Sequence, residues 1–170
     1  MNVVIYPGTF DPVHFGHLDI AHRAAALFDR VIIGVYDRPA KDPLFTLDER
    51  VELVRQAVSD VESIVVEAYT GLTVDFARRH GSRVVVRGLR VTHDFEYEYQ
   101  MALTNRKLDP DVDTICLMTS LEYAFLSSTI VKDVARAGGN VQCMVPGHVA
   151  RALRDRFMGQ SETVFRAERG

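Results

Sequence analysis

Four short segments of this sequence gather residues that can bind and activate phosphate groups. The first runs Tyr6-Pro7-Gly8-Thr9-Phe10-Asp11-Pro12-Val13-His14-Phe15-Gly16-His17 and ends in an H-x-G-H tetrapeptide. Gly16 lets a phosphate approach the backbone closely at a helix start. With the helix beginning near His14, His14 and His17 stand three residues apart and share a face. An imidazolium there donates hydrogen bonds to phosphoryl oxygens, and Thr9 adds a hydroxyl donor. The same residues also suit a plain strand-to-helix turn. A two-histidine metal site lacks a third ligand at a metal-site spacing, Asp11 being the nearest acid in sequence.

The other segments are separately weaker. Lys41, in Asp37-Arg38-Pro39-Ala40-Lys41, reads by itself as a solvated surface lysine. Arg87-Gly88-Leu89-Arg90 directly follows the apolar run Val84–Val86, and two arginines flanking a glycine suit phosphate recognition. In the acidic helix Asp94-Phe95-Glu96-Tyr97-Glu98-Tyr99, which is not one of the four segments, Asp94 and Glu98 are at i and i+4 and repel unless a ribose hydroxyl or an arginine intervenes. Acids near a helix N-terminus are also favoured by the dipole alone. Phe95, Tyr99 and Ala102 are the expected core stripe of that helix. Tyr123-Ala124-Phe125-Leu126-Ser127-Ser128-Thr129 places a helix-capping serine at 127 and hydroxyls in the first turn, with Lys132 on the Ser128 face. Free amides, hydroxyls and a cation together make a polyphosphate cradle.

These segments share a position relative to the predicted elements. Strands are expected at Val3–Tyr6, Val31–Tyr36, Ser63–Val66, Val84–Val86 and Thr114–Met118. Between them the 3.6-residue period predicts helices at Gly16–Phe28, with Ile20, Ala21, Ala24, Leu27 and Phe28 on one face, from Thr46 onward, at Val74–Arg79 and at His93–Lys107. Thr46 and Glu49 have capping-box spacing ahead of Leu47, Val51, Val54 and Val58. Further helices are expected at Ser127–Ala137, stopped by Gly138-Gly139, and from Pro146 to about Phe157. Alternating strands and helices, with strands nearly continuously apolar, predict an α/β fold: a Rossmann-like, doubly wound sheet of parallel strands with helices on both faces. Ligands of such sheets bind beyond the carboxyl ends of the strands, where all four segments lie. Residues 1–159 read as one domain and residues 160–170, with little periodicity, as a C-terminal tail.

Composition narrows the partners. The 170 residues are 47% hydrophobic and 25% charged, enough for a real core, and the net charge of -3 gives no reason to expect nucleic acid or an anionic membrane. The two cysteines, Cys116 and Cys143, form neither a metal motif nor a disulfide framework, and Cys116 lies in an apolar run that reads as core. No apolar stretch is long enough to span a bilayer, and the protein is expected to be cytoplasmic.

Together, Tyr6 to Pro12, Gly16-His17, Phe45-Thr46-Leu47 with Glu49-Arg50, Arg87 to Arg90, Asp94 to Glu98 and Ser127-Ser128-Thr129 resemble bacterial phosphopantetheine adenylyltransferases from about Asn2 to Phe157. Gly8 to Pro12 with H-x-G-H marks the wider nucleotidyltransferase superfamily, and R-G-L-R with D-F-E-Y-E marks this branch. The resemblance implies adenylyl transfer from ATP to 4'-phosphopantetheine, giving 3'-dephospho-CoA and pyrophosphate, with Mg2+ accompanying ATP and a homohexameric assembly. It implies that His17 stabilises charge developing on the α-phosphate. It assigns ATP to Thr9, Phe10, His17, Gly88, Leu89, Arg90, Glu98, Tyr123, Ala124, Phe125, Leu126, Ser127, Ser128 and Thr129. It assigns phosphopantetheine to Thr9, Lys41, Thr73 and Arg87, with Leu72 beside Thr73 at the pantetheine arm. The competing readings are a sister enzyme with another acceptor, such as nicotinate mononucleotide or glycerol phosphate, and a non-catalytic nucleotide or CoA sensor.

Overall fold

Valine and isoleucine fill both faces of the central strands, as a sheet covered on two sides requires. In β1 (Val3–Gly8), Val4 and Tyr6 join one apolar cluster and Ile5 the other. The computed structural model describes residues 2–39, 42–90 and 92–167, with side chains except at 92–94 and 159–167. After β1 come α1 (Phe15–Leu27), β2 (Arg30–Tyr36), α2 (Leu47–Ala57), β3 (Ile64–Tyr69), α3 (Thr73–Arg79), β4 (Val84–Leu89) and α4 (Thr92–Leu108). Then follow β5 (Asp113–Met118), a 3-10 turn at Leu121–Tyr123, α5 (Ser128–Arg136) and α6 (Gly147–Ala167). Lys41, one of the expected site residues, lies outside the described residues, as does the side chain of Asp94.

The five strands are parallel in the order β3-β2-β1-β4-β5. The chain winds outward from β1 to β3, then returns to lay β4 on the other side of β1. Such a reversal opens a crevice at the carboxyl ends of the two strands flanking it, here β1 and β4. Residues of α1, α2, α5 and α6 pack on one face around Val4, Ile33 and Val86, and α3 covers Ile5, Ile32 and Val85 on the other. This is the doubly wound arrangement expected. No helix among the described residues is long and apolar enough to cross a membrane.

The helix starts follow local chemistry. Thr46 Oγ1 accepts from the Glu49 amide at 3.3 Å while Glu49 Oε2 accepts from the Thr46 amide at 2.7 Å, the reciprocal box that the spacing predicts. Ser127 Oγ accepts from the Ile130 amide at the head of α5. Gly138, at φ +78, closes that helix in a conformation that costs glycine little.

Several boundaries and burials differ from expectation. Strand β1 continues through Pro7 and Gly8, which pair in register with Gly34 and Val35, and β4 continues through Arg87 to Leu89, which pair with Cys116 to Met118. Arg87 and Gly88 are therefore part of a strand end, not of a loop after it. Helix α6 runs to Ala167, with neither proline nor glycine between Gln160 and Ala167 to interrupt it. Phe95 and Tyr99 are not core residues: they are 54% and 55% exposed and stack on each other, while Glu98 and Asn105 are the buried side chains among the described residues of α4. Cys116 is also exposed, because β5 is an edge strand. Leu27, at the end of α1, faces outward as well, although Ile20, Ala21 and Ala24 are buried as expected.

Gly34 shows how tightly α3 is seated. A β-carbon there would stand 2.6 Å from the Phe76 ring and 3.0 Å from the Tyr69 ring. Those rings are buried and stacked with centroids 4.5 Å apart, so neither has room to withdraw. Gly34→Ala is expected to lower the unfolding free energy by about 1–3 kcal/mol. Urea denaturation measures this, and an unchanged midpoint would contradict the packing described.

Candidate active site

The loop between β1 and α1 is held by buried charge. Phe10 adopts φ 51, an uncommon conformation for a side chain of its size, and is 2% exposed. Its ring meets Tyr6 edge-on at 5.5 Å and His17 at 4.9 Å. Gly8 is required beneath it, since a β-carbon there would lie 2.9 Å from the ring. Asp11, 4% exposed, accepts from the amides of Leu44 and Phe45, each at 2.9 Å, and from Lys132 Nζ at 2.6 Å. Arg50, 1% exposed, donates to the carbonyls of Thr9, Tyr36 and Phe45 at 2.8, 2.8 and 3.2 Å. The loop bearing Thr9 is thus tied to the ends of β2 and α2 and to α5.

His14 is the N-cap of α1, where serine, threonine or an acid would be usual. Its Nδ1 accepts from the His17 amide at 3.3 Å, and His17 Nδ1 accepts from the His14 amide at 3.2 Å. The two rings stack with centroids 3.6 Å apart and planes 21° apart. Burial, reinforced by the Arg90 charge, pushes His14 down to about 3. Burial, His14, Arg90 and Arg87 hold His17 well below the usual imidazole range. Both rings are neutral near pH 7, so the imidazolium expected from sequence is not what this cleft holds. A neutral ring still donates one N–H.

Arg87 stands where β4 ends beside β1. Its Nε and Nη2 donate to the two carboxylate oxygens of Glu98 at 2.8 and 2.6 Å, and its Nη1 donates to the Pro7 carbonyl at 2.6 Å. Burial opposes this charge, but the Glu98 carboxylate more than offsets it and raises the guanidinium above its ordinary range. The bidentate pair is the strongest geometry open to an arginine and a carboxylate. Arg90 Nη1 donates to the Leu126 carbonyl, linking the β4 end to the turn before α5. Ser128 Oγ donates to the Pro12 carbonyl at 2.9 Å, and Asp19 accepts from the Ser120 amide and hydroxyl at 2.9 and 2.6 Å. These bonds draw the heads of α1 and α5 together.

Two clefts open at this end of the sheet. One, of about 370 Å³, lies between the head of α3 and α4, with Tyr69, Leu72, Thr73, Met101 and Asn105 among its lining. The other, of about 250 Å³, lies over the heads of α1 and α5, with Phe10, His14, His17, Gly88, Arg90, Ser127 and Ser128. Both are lined by Pro7, Gly8, Thr9, Arg87 and Glu98, so they meet at that point.

Of the residues expected at a nucleotide, Thr9, Phe10, His17, Gly88, Arg90, Glu98, Ser127 and Ser128 converge on the second cleft. Leu89, Tyr123, Ala124, Phe125, Leu126 and Thr129 are not in its lining: Leu126 is fully buried, and Phe125 and Thr129 are exposed. Thr9, Thr73 and Arg87, expected at the second substrate, line the first cleft together with Leu72. Lys132 is not in the lining of that cleft, and its ammonium donates to Asp11 at 2.6 Å. The residue pattern assigns Arg50 no role. Its one signal was an arginine four residues before Val54, on the apolar face of α2.

No three His, Cys, Asp or Glu side chains among the described residues group as a metal site. Asp11 and Glu98 already engage both oxygens with protein donors. The donor set does not fit a resident ion. Magnesium that arrives with a nucleotide commonly keeps phosphate and water ligands instead of a protein cage.

Lys132→Ala would leave the Asp11 carboxylate, 5% exposed, without its cation. The unfolding free energy is expected to fall by about 3 kcal/mol, measured by chemical denaturation. Loss of nucleotide affinity at unchanged stability would instead return Lys132 to the phosphate cradle.

Comparison with known proteins agrees with this geometry. Residues 5–134 match the cytidylyltransferase-like family. The chain is 53% identical over 157 residues to a phosphopantetheine adenylyltransferase of Gloeobacter violaceus, covering 92% of this chain and 98% of that protein. Those of Desulforudis audaxviator and Synechococcus elongatus are 49% and 51% identical, with 92% and 90% of this chain and 96% and 92% of theirs covered. With the H-x-G-H helix head, the R-G-L-R strand end and the two joined clefts at the carboxyl ends of β1 and β4, the chain is a nucleotidyltransferase and belongs to the phosphopantetheine adenylyltransferase family.

Proposed function

We propose that this protein transfers the adenylyl group of ATP to 4'-phosphopantetheine by direct in-line displacement, giving 3'-dephospho-CoA and pyrophosphate. The supporting observation is the meeting of two clefts at Thr9 and Arg87. A bisubstrate reaction without a covalent enzyme intermediate needs its two reactants in contact, and the junction is where they touch. ATP occupies the cleft of His17, Gly88, Arg90, Ser127 and Ser128. The pantetheine arm lies in the longer cleft, where Leu72 and Met101 supply apolar surface and Thr73 and Asn105 supply polar groups.

In the reaction an oxygen of the phosphopantetheine phosphate attacks the α-phosphorus. The bond from that phosphorus to the bridging oxygen of the β-phosphate breaks, and pyrophosphate leaves with the electron pair. The nucleophile is already an anion, so no protein base has to remove a proton. What the chain supplies is placement and positive charge. Three of Arg87's five N–H donors engage Glu98 and Pro7, leaving two for a phosphate at the junction. Lys41 joins it in holding that phosphate. Thr9 reaches both reactants from a carbonyl fixed by Arg50, and His17 donates to the charge growing on the α-phosphate.

We also infer a homohexamer. On α4, Phe95, Tyr99 and Leu103 recur at four-residue spacing on one face and are each at least 53% exposed, an apolar surface that an isolated chain would leave in water. Light scattering is expected to give six times the 19.1 kDa chain mass, and a monomer would refute the assembly.

The reaction is tested by product mass after incubation with ATP, Mg2+ and phosphopantetheine, with nicotinate mononucleotide as control acceptor. Dephospho-CoA and pyrophosphate are expected. Turnover with the control acceptor alone would overturn the assignment. His17→Ala is expected to bind ATP within a few-fold of the parent while kcat falls by about 10²–10³, and a fully active variant would remove His17 from the chemistry.

A further inference from the structure

The geometry points to His14 as a positioning residue for His17: its backbone amide and stacked ring present His17 to the nucleotide cleft as a neutral imidazole with its single proton on Nε2. This rests on the reading of His17 as the phosphate-facing donor, but the evidence for it is separate.

Each ring's Nδ1 already accepts a backbone N–H from the other residue, at 3.2 and 3.3 Å. A neutral imidazole that accepts at Nδ1 carries its hydrogen at Nε2. Protonating either ring would put a hydrogen on Nδ1, facing an amide hydrogen, and would break that bond. It would also set a cation against a second imidazole 3.6 Å away. The surroundings act the same way. Arg87 at the end of β4 and Arg90 just after it disfavour a further positive charge. Glu98 of α4, the acid in the same cleft, has both oxygens engaged by Arg87. Phe10 closes another side of the His17 ring with no charge. Burial is the largest influence holding His17 down, followed by His14, Arg90 and Arg87.

The consequence is a donor that does not change with pH. A free imidazole gains its second proton as the pH falls through about 6.5. With its folded-state affinity for protons lowered, His17 stays neutral through that range and offers the same Nε2–H.

Long-range proton–nitrogen correlation on the full chain labelled with 15N-histidine, recorded from pH 8 to pH 5, tests this without any turnover. For His17 the expected result is a protonated Nε2 and an unprotonated Nδ1, with both shifts steady across the range. A proton on Nδ1, or double protonation with a midpoint near 6.5, would overturn the proposal. His14→Asn keeps an acceptor for the His17 amide and removes the stacked ring. In that variant α1 is expected to remain capped, and the proton affinity of His17 to rise at least about tenfold over the parent chain, with both titrations carried below pH 5 to their midpoints. A His17 midpoint in His14→Asn equal to that of the parent chain would show that the His14 ring does not set its state. The His17→Ala turnover measurement is independent: full activity there removes the catalytic reading and leaves the tautomer result standing.

Discussion

Arg87 determines where the two clefts can meet. It is a cation near the carboxyl end of strand β4, its donors reach the Pro7 carbonyl of β1, and its charge is matched by Glu98 of α4. The sheet reverses its winding between β1 and β4, so the segments following these strands depart in different directions. One guanidinium closes that gap without filling it. Glu98 contributes the carboxylate that offsets the cost of enclosing the charge. Because the pair is bidentate, it fixes the plane of the guanidinium as well as its position. The floor shared by both clefts is set by this arrangement.

A second group of buried charges holds the reacting loop above that floor. Asp11 satisfies two amides of the segment before α2 and one cation of α5, and Arg50 gathers three carbonyls from separate elements. Neither group faces substrate. Their effect is to hold Thr9 and the strained Phe10 backbone in a single geometry, which a conformation of this kind requires from its surroundings. The fold is thus most polar in its interior close to the site, while the remaining core under α1, α2 and α6 is aliphatic.

Much of this was legible in residue order. Alternating apolar runs give the parallel sheet, and Thr46, Ser127 and Gly138 mark helix ends by their own side chains or lack of one. The site segments stand out because they follow strands. Residues whose role depends on a distant partner were not legible. Lys132 looked like a phosphate ligand because Ser128 is one turn away, yet its ammonium finds Asp11, 121 positions earlier in the chain. Phe95 and Tyr99 looked like core because they are aromatic at helical spacing, and helical spacing cannot tell which side of a helix meets the sheet. His14 and His17 were expected to act as cations on one helix face. Their reciprocal bonds run through backbone amides, which no pattern of residue types announces.

The proposed chemistry makes the junction of the clefts a place where one displacement happens once, with acceptor phosphate and departing pyrophosphate on opposite sides of the α-phosphorus. A covalent enzyme intermediate would need two displacements at that atom. The stereochemical course distinguishes the two cases directly. ATP made chiral at the α-phosphorus by sulfur substitution would be turned over with phosphopantetheine and the configuration of the dephospho-CoA product determined. Inversion is the predicted result, and retention would contradict direct transfer between the clefts.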